Sequence, residues 1–247
     1  ITRSMSWYSE GFKVYSLEDV IDFDHLVEEI TRSVKNVIKK NLEKRDLEGF
    51  SLSKYHKFVS NEEHLLIDKK LKRFYPKDLG FKDDKIVDFI GNIINKKLSY
   101  RPKDKDFQHW IIVRLSLPQH TGLKGFNPAH KDIYEDYDTY NEIPRMVNAW
   151  IPICGVNSNT GLAIAPKSHL LSENKILRTK CGSFLEGNKF SVNCIKSWDN
   201  KVNMELISPN QGSFILFSSH LIHGLAINNN YDESRVSLEF RLHLNNI

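Results

Sequence analysis

Apolar positions in the first hundred residues recur at helical spacing. Phe23, Leu26, Val27, Ile30, Val34, Val37 and Ile38 fall on one stripe of a 3.6-residue helix, and Ile86, Phe89, Ile90, Ile93, Ile94 and Leu98 repeat it in "DKIVDFIGNIINKKL". Between them, "SNEEHLLIDKKLKRF" opens with Ser60 and Glu63, a spacing that lets each side chain accept the other's backbone N–H at a helix start. Ser16 is a candidate cap for the first helix. After "YRPKDKD" (100–106) the pattern changes. "HWIIVRLSL", "RMVNAWIPI", "GLAIAP", "NMELIS", "SFILFSS" and "SRVSLEFRLHL" are short β-rich runs bounded by Pro, Gly, Asn and Asp. One-sided helices need an apolar surface to pack on, and a sheet supplies it. The expected fold is α+β, a β-sandwich or barrel with helices packed on one face. The chain reads as one domain, 1–247, mainly helical over 1–104 and β-rich over 105–247.

Composition narrows the setting. A chain of 247 residues, 40% hydrophobic and 27% charged, is ordinary for a soluble globular protein with a sizeable core. The net charge of +4 is mild, and its surplus sits in stretches such as "KNVIKKNLEKR" (35–45). No basic run is interleaved with aromatics, so the surplus reads as solvated surface and no nucleic-acid partner is expected. No apolar run reaches the roughly 20 residues that span a bilayer. Cys154, Cys181 and Cys194 are odd in number and form no C-x-x-C, which suits reduced, structural thiols in a cytoplasmic protein.

The stretch "PAHKDIYEDYD" (128–138) carries the first candidate chemistry. His130 and Asp132 share one side of an extended chain. Alone, "HKD" reads more readily as a charged, solvated turn. A distant histidine would complete a two-histidine, one-carboxylate set on one face of iron(II), leaving the opposite face for a co-substrate and O₂. "SSHLIHGLA" offers His220 and His223, which point opposite ways in a strand. His223 is favoured, because Gly224 after it allows close backbone approach. In "SRVSLEFRLHL", alternation places Arg235, Ser237, Glu239 and Arg241 on one face and Val236, Leu238 and Phe240 on the other. A buried cation needs a partner. A dicarboxylate would serve, gripped by the planar fork of Arg235 with the Ser237 hydroxyl beside it. For Arg241 an internal salt bridge to Glu239 or Asp132 is the competing reading.

Roughly residues 105–244 resemble the phytanoyl-CoA hydroxylase-like branch of the iron(II)/2-oxoglutarate dioxygenases. The resemblance rests on "HKD", on "NAWIPICGVNSNTGLAIAPKSH" (148–169) and on "GSFILFSSHLIHGLAINNNYDESRVSLEFR" (212–241). The middle piece is similar to the family's Trp-bearing strand (Trp150), N-x-G-x-L-like turn (Asn159, Gly161, Leu162) and P-G-S-H-like end (Pro166, Ser168, His169), with Lys167 where glycine is usual. The resemblance implies a double-stranded β-helix (jelly-roll) core with iron(II) on His130, Asp132 and His223. It further implies 2-oxoglutarate held by Arg235 and Ser237 and lined by Asn148 and Trp150, and O₂ as the oxidant. Succinate and CO₂ would leave as an unactivated C–H of a small molecule is hydroxylated; Asp132 in the carboxylate position speaks against a halogenase.

Substrate contacts are sought in the loop after the first ligands, at Tyr134, Glu135 and Tyr137, and at Arg241, with a sugar-like or natural-product molecule in view. His120 and His169 are placed in loops, at the surface or against substrate, and Arg114 at the flank of the sheet. The rival functions are a cupin-like metal-binding isomerase or sensor without 2-oxoglutarate turnover, a zinc hydrolase, and a degenerate fold used as a binding module.

Overall fold

The structure, a computed structural model, describes residues 2–71, 80, 84–100, 111–119, 128–180, 183–185, 188–190, 193–224 and 227–244. Three helices precede the sheets: α1 (Phe23–Asn41), α2 (Asn61–Leu71) and α3 (Asp84–Ile94). The Ser60–Glu63 pair caps α2 reciprocally, with Ser60 N donating to Glu63 Oε2 at 2.8 Å and Glu63 N to Ser60 Oγ at 3.3 Å. Ser16 does not cap α1. Asp22 does, its Oδ1 accepting from His25 N at 3.1 Å. Ser16 instead ends a strand, β1 (Phe12–Ser16), which the helical reading of this region missed.

The strands that follow are β2 (Leu98–Ser99), β3 (Ile111–Ser116), β4 (Met146–Cys154), β5 (Leu162–Ala165), β6 (Ile176–Arg178), β7 (Ser183–Leu185), β8 (Asn188–Phe190), β9 (Ile195–Trp198), β10 (Glu205–Ile207), β11 (Ser213–Ser218), β12 (Ile222–Gly224) and β13 (Arg235–Leu244). A large antiparallel sheet runs β1-β11-β4-β13-β2, with β3 also paired to β13. A small sheet, β10-β5-β12, faces it. The two form the double-stranded β-helix.

Alternation along the large sheet decides what goes where. Val113, Val147, Ile151, Leu216, Leu238 and Leu242 point outward and pack with Leu26, Ile30, Val34, Ile38, Ile67, Ile86 and Ile90 of the helices in one buried cluster. Each such side chain contributes roughly 1.5–3 kcal/mol by leaving water. The helices therefore cover one face only. The alternate residues look inward, where Trp150, Ile215 and Phe217 meet Leu162 and Ile164 of the small sheet. Among the described residues no helix is long and apolar enough to cross a membrane.

Candidate metal centre and co-substrate pocket

His130 and His223 are backbone partners before they are side-chain neighbours. His130 N donates to His223 O at 2.9 Å and His223 N to His130 O at 3.0 Å, an antiparallel bridge that joins β12 to the strand-like segment at residue 130. This pairing sets the two imidazoles 4.5 Å apart, centroid to centroid. The chain is not extended through Asp132. It turns there into α4 (Ile133–Tyr140), Asp132 being the N-cap in a helical conformation (φ −65°, ψ −26°). The turn still delivers the carboxylate between the rings, with His130 Nε2 3.5 Å from Oδ1 and His223 Nε2 3.5 Å from Oδ2.

The three residues' ligand atoms lie within 4.8 Å of one another, and all three side chains are buried. His130 Nδ1 sits 2.6 Å from Pro128 O, and His223 Nδ1 3.0 Å from Leu221 O. A carbonyl can only accept, so each Nδ1 carries a proton, and Nε2 is the atom each ring can offer to a metal beside Asp132. Burial pushes the His223 imidazole down to about 4, which keeps it neutral. Burial opposes charge on Asp132 as well, but the Arg241 guanidinium outweighs it and holds the carboxyl far below its ordinary range. Two imidazoles that present Nε2 and one anionic carboxylate suit a divalent metal.

Asn148 and Arg241 sit directly opposite each other on β4 and β13. Asn148 Nδ2 donates to Asp132 Oδ2 at 2.5 Å, and Arg241 Nη2 lies 2.7 Å from Asp132 Oδ1. Asn148 thus orients the carboxylate as well as lining the cavity, and Arg241 forms the internal ion pair that competed with a substrate role.

Deeper along β13 lies Arg235, fully buried. Its Nε donates to Thr160 O at 2.6 Å, Nη2 reaches Gly161 O at 3.4 Å, and the guanidinium lies 5.2 Å from the Trp150 ring. Its Nη1 has no partner and no carboxylate pairs with it among the described residues. Burial lowers it to about 10, so it remains a cation. Ser237, also fully buried, has a hydroxyl without a partner, although it is not among the residues lining the cavity. The cavity joins Arg235 and Trp150 to His130, Asp132 and His223, with Leu162, Phe217 and Phe240 as apolar walls. A buried guanidinium with an idle donor, lining the same cavity as a metal-type cluster, fits a chelating diacid.

Other expectations shift. Arg114 faces this cavity rather than only flanking the sheet, and it grips Glu239 through Nε at 2.5 Å and Nη2 at 2.8 Å. Tyr134 is buried, not lining the cavity. Its hydroxyl donates to Glu173 Oε2 at 2.7 Å and its ring lies 3.9 Å from the Arg178 guanidinium, which in turn holds Asp138. Lys131, between the two ligands, is buried and donates to Glu173 Oε1 at 2.9 Å. Substrate contact by Tyr134 is therefore replaced by a bracing role for the ligand turn. Tyr137 is exposed on α4 and the Glu135 side chain lies outside the described residues, as do His120 and Cys181. Nothing local in the sequence marked Glu173, because its partners are some forty residues away.

His169 clasps the N-terminal segment. Its Nε2 donates to Tyr8 O at 2.5 Å, and its ring packs so tightly on Gly11 (φ +89°) that a Cβ there would lie 2.5 Å from Nδ1. His220 points away from His223 and lines a separate cavity.

Solved structures share this architecture. AviO1 from Streptomyces viridochromogenes Tue57 superposes with a TM-score of 0.52 at 14% identity, over 96% of this chain and 91% of that one. EvdO2 from Micromonospora carbonacea var. aurantiaca gives 0.55 at 11%, over 96% and 88%. SnoN, a non-heme alpha-ketoglutarate-dependent epimerase from nogalamycin biosynthesis, gives 0.50 at 12%, over 96% and 78%. No curated protein sequence matches the chain significantly. The family model for phytanoyl-CoA dioxygenase (PhyH) matches residues 17–236, helices and barrel alike. The chain belongs to that family of iron(II)- and 2-oxoglutarate-dependent enzymes.

Proposed function

We propose that residues 1–247 act as one dioxygenase domain that hydroxylates an unactivated C–H of a polar small molecule, with His130, Asp132 and His223 as the iron ligands and Arg235, with Ser237, as the clamp for 2-oxoglutarate. One observation carries this reading: three metal-type ligands converge in a cavity whose far end is a buried guanidinium with no carboxylate of its own among the described residues. A cupin-like sensor has no use for that cation. When bound, iron with 2-oxoglutarate and O₂ supplies the oxidising chemistry.

The chain's own residues orient and protect. The Pro128 and Leu221 carbonyls fix both imidazole tautomers, and Asn148 with Arg241 fixes the carboxylate. Arg235, held by the Thr160 carbonyl, presents its free edge to the diacid's far carboxylate as a charge-assisted pair. Trp150, Leu162 and Phe217 keep water from the cavity wall. Substrates of the sugar-like or natural-product kind agree with the setting of SnoN, an epimerase from nogalamycin biosynthesis.

Anaerobic titration with iron(II) and 2-oxoglutarate tests the assignment. A weak visible charge-transfer band should develop in the wild type and be lost in His130→Ala. Arg235→Ala should weaken 2-oxoglutarate binding by about 30- to 1000-fold, the loss of a buried charge pair worth about 2–4 kcal/mol. A full-strength band in Arg235→Ala at wild-type 2-oxoglutarate concentrations would rule out the clamp.

A further inference from the structure

The inner faces of β4 and β11 continue past the metal ligands. Side chains two apart on a strand share a face, so Met146 follows Asn148 outward on β4, while β11 ends at Ser218. Met146 packs with Ala129 and Ile222, the chain neighbours of His130 and His223. Just beyond lies a second cavity of about 330 Å³, lined by Arg3, Tyr8, Arg145, Met146, His169 and His220 among others. That volume falls at the lower end of the roughly 300–1,000 Å³ typical of ligand pockets.

Its charge is one-sided. Two arginines line it and no carboxylate does. Other guanidiniums around the centre are committed, Arg114 to Glu239, Arg178 to Asp138 and Arg241 to Asp132. Arg3 and Arg145 have no acidic partner among the described residues. Glu173 and Glu10, the acids whose charges reach His220 and His169, are held by Lys131 at 2.9 Å and by Lys167 at 3.3 Å. Burial, then the Lys131 charge, pushes His220 down to about 4, so it is a neutral hydrogen-bonding group. Arg3 is carried by a segment tied at three points, Tyr8 O to His169, Glu10 O to Lys167 N at 3.0 Å, and Gly11 O to Ser218 N at 2.9 Å. Both arginines are exposed. An anionic group that binds both gains two charge-assisted contacts.

We propose that this outer cavity is an anion subsite, where Arg145 and Arg3 hold a carboxylate, phosphate or sulfate of the substrate and so aim the rest of it at the metal centre. The proposal deepens the oxygenase reading and rests on it for the reaction, though not for the binding. Acetate, phosphate and sulfate are titrated calorimetrically into anaerobic protein saturated with iron(II) and 2-oxoglutarate, so that the Arg235 pocket is filled. At least one of them should bind saturably, and the tightest names the anion's chemistry. Arg145→Gln should weaken it about tenfold and the Arg3→Gln, Arg145→Gln pair should abolish it. Lys39→Gln, which removes the same charge from an exposed position on α1, should leave it unchanged.

Absence of saturable binding by all three anions overturns the proposal. So does an anion that binds the double variant as well as the wild type, or one weakened equally by Lys39→Gln. The charge-transfer band of the wild-type sample reads the oxygenase assignment separately. A band without anion binding rejects the subsite alone, and Arg145-dependent binding without a band rejects the oxygenase reading alone.

Discussion

Both oxygens of Asp132 have protein partners, Asn148 on Oδ2 and Arg241 on Oδ1, while each also faces an imidazole at 3.5 Å. Groups that orient a ligand in this way are worth about 10–100-fold in metal affinity. Asn148→Leu should lower iron(II) affinity by that factor with little loss of fold, as competition with a chromophoric chelator would show. An unchanged affinity would leave Asn148 as cavity wall only. His220 gives a pH dependence. Its pKa is about 4 when folded and about 6.5 when unfolded. Above 6.5 neither state is protonated; below it the unfolded chain takes up a proton that the folded chain refuses, so stability falls as pH drops toward 4. Between pH 7 and 5 this amounts to about 1–2 kcal/mol after allowance for partial exposure. Urea midpoints of wild type and His220→Gln at the two pH values should differ by that much less in the variant. Sequence alone could put Asn148 on the inner face, since alternation is visible. It could not show Asp132 as its partner, because the turn into α4 that brings them together reads as a loop.

The turn from Gly155 to Gly161 builds the Arg235 clamp. Gly155 has φ +67°, and a Cβ there would lie 2.4 Å from Ser234 O and 2.9 Å from Arg235 Cα. Thr160 and Gly161 then give their carbonyls to the guanidinium. Gly155→Ala should cost about 2–4 kcal/mol, from a left-handed backbone and a steric clash that only backbone movement relieves. It should also weaken 2-oxoglutarate binding by displacing Arg235. Thermal melts and the charge-transfer titration read the two effects; unchanged binding in a folded variant would uncouple turn from clamp. The N-x-G-x-L-like pattern pointed to this turn without revealing what it holds. Long elements were legible: the stripes of α1 and α3, the capping box of α2, and the alternation of β4 and β13 follow from period and cap chemistry. Short ones were not. β12 has three residues, too few for a period, although it carries His223, and Gly224 supplied the hint that chose His223 over His220. β1 stands at the edge of the large sheet with its middle residues exposed, and five residues (FKVYS) are too few to set up a clear inside–outside alternation. The Lys131–Glu173–Tyr134 brace joins positions distant in sequence, where no local pattern forms.

Across the whole molecule, the larger apolar cluster lies between helices and sheet, while the barrel interior sets buried charged groups among apolar walls. Pairing keeps most of this interior tolerable: Glu239 with Arg114, and Asp132 with Arg241. Among the described residues Arg235 is the exception, wholly enclosed, with only carbonyls and an aromatic face for company. A diacid seated there does more than wait for chemistry: it completes the fold, as a missing side chain would. At a hundred times its dissociation constant, 2-oxoglutarate should add about 2.7 kcal/mol to stability, a rise of roughly 5–10 °C in Tm for a chain of this size. Calorimetry with and without it, and with Arg235→Ala as the insensitive control, checks the figure. The supply of one common metabolite would then govern how long the folded chain survives a protease, quite apart from how fast it turns over.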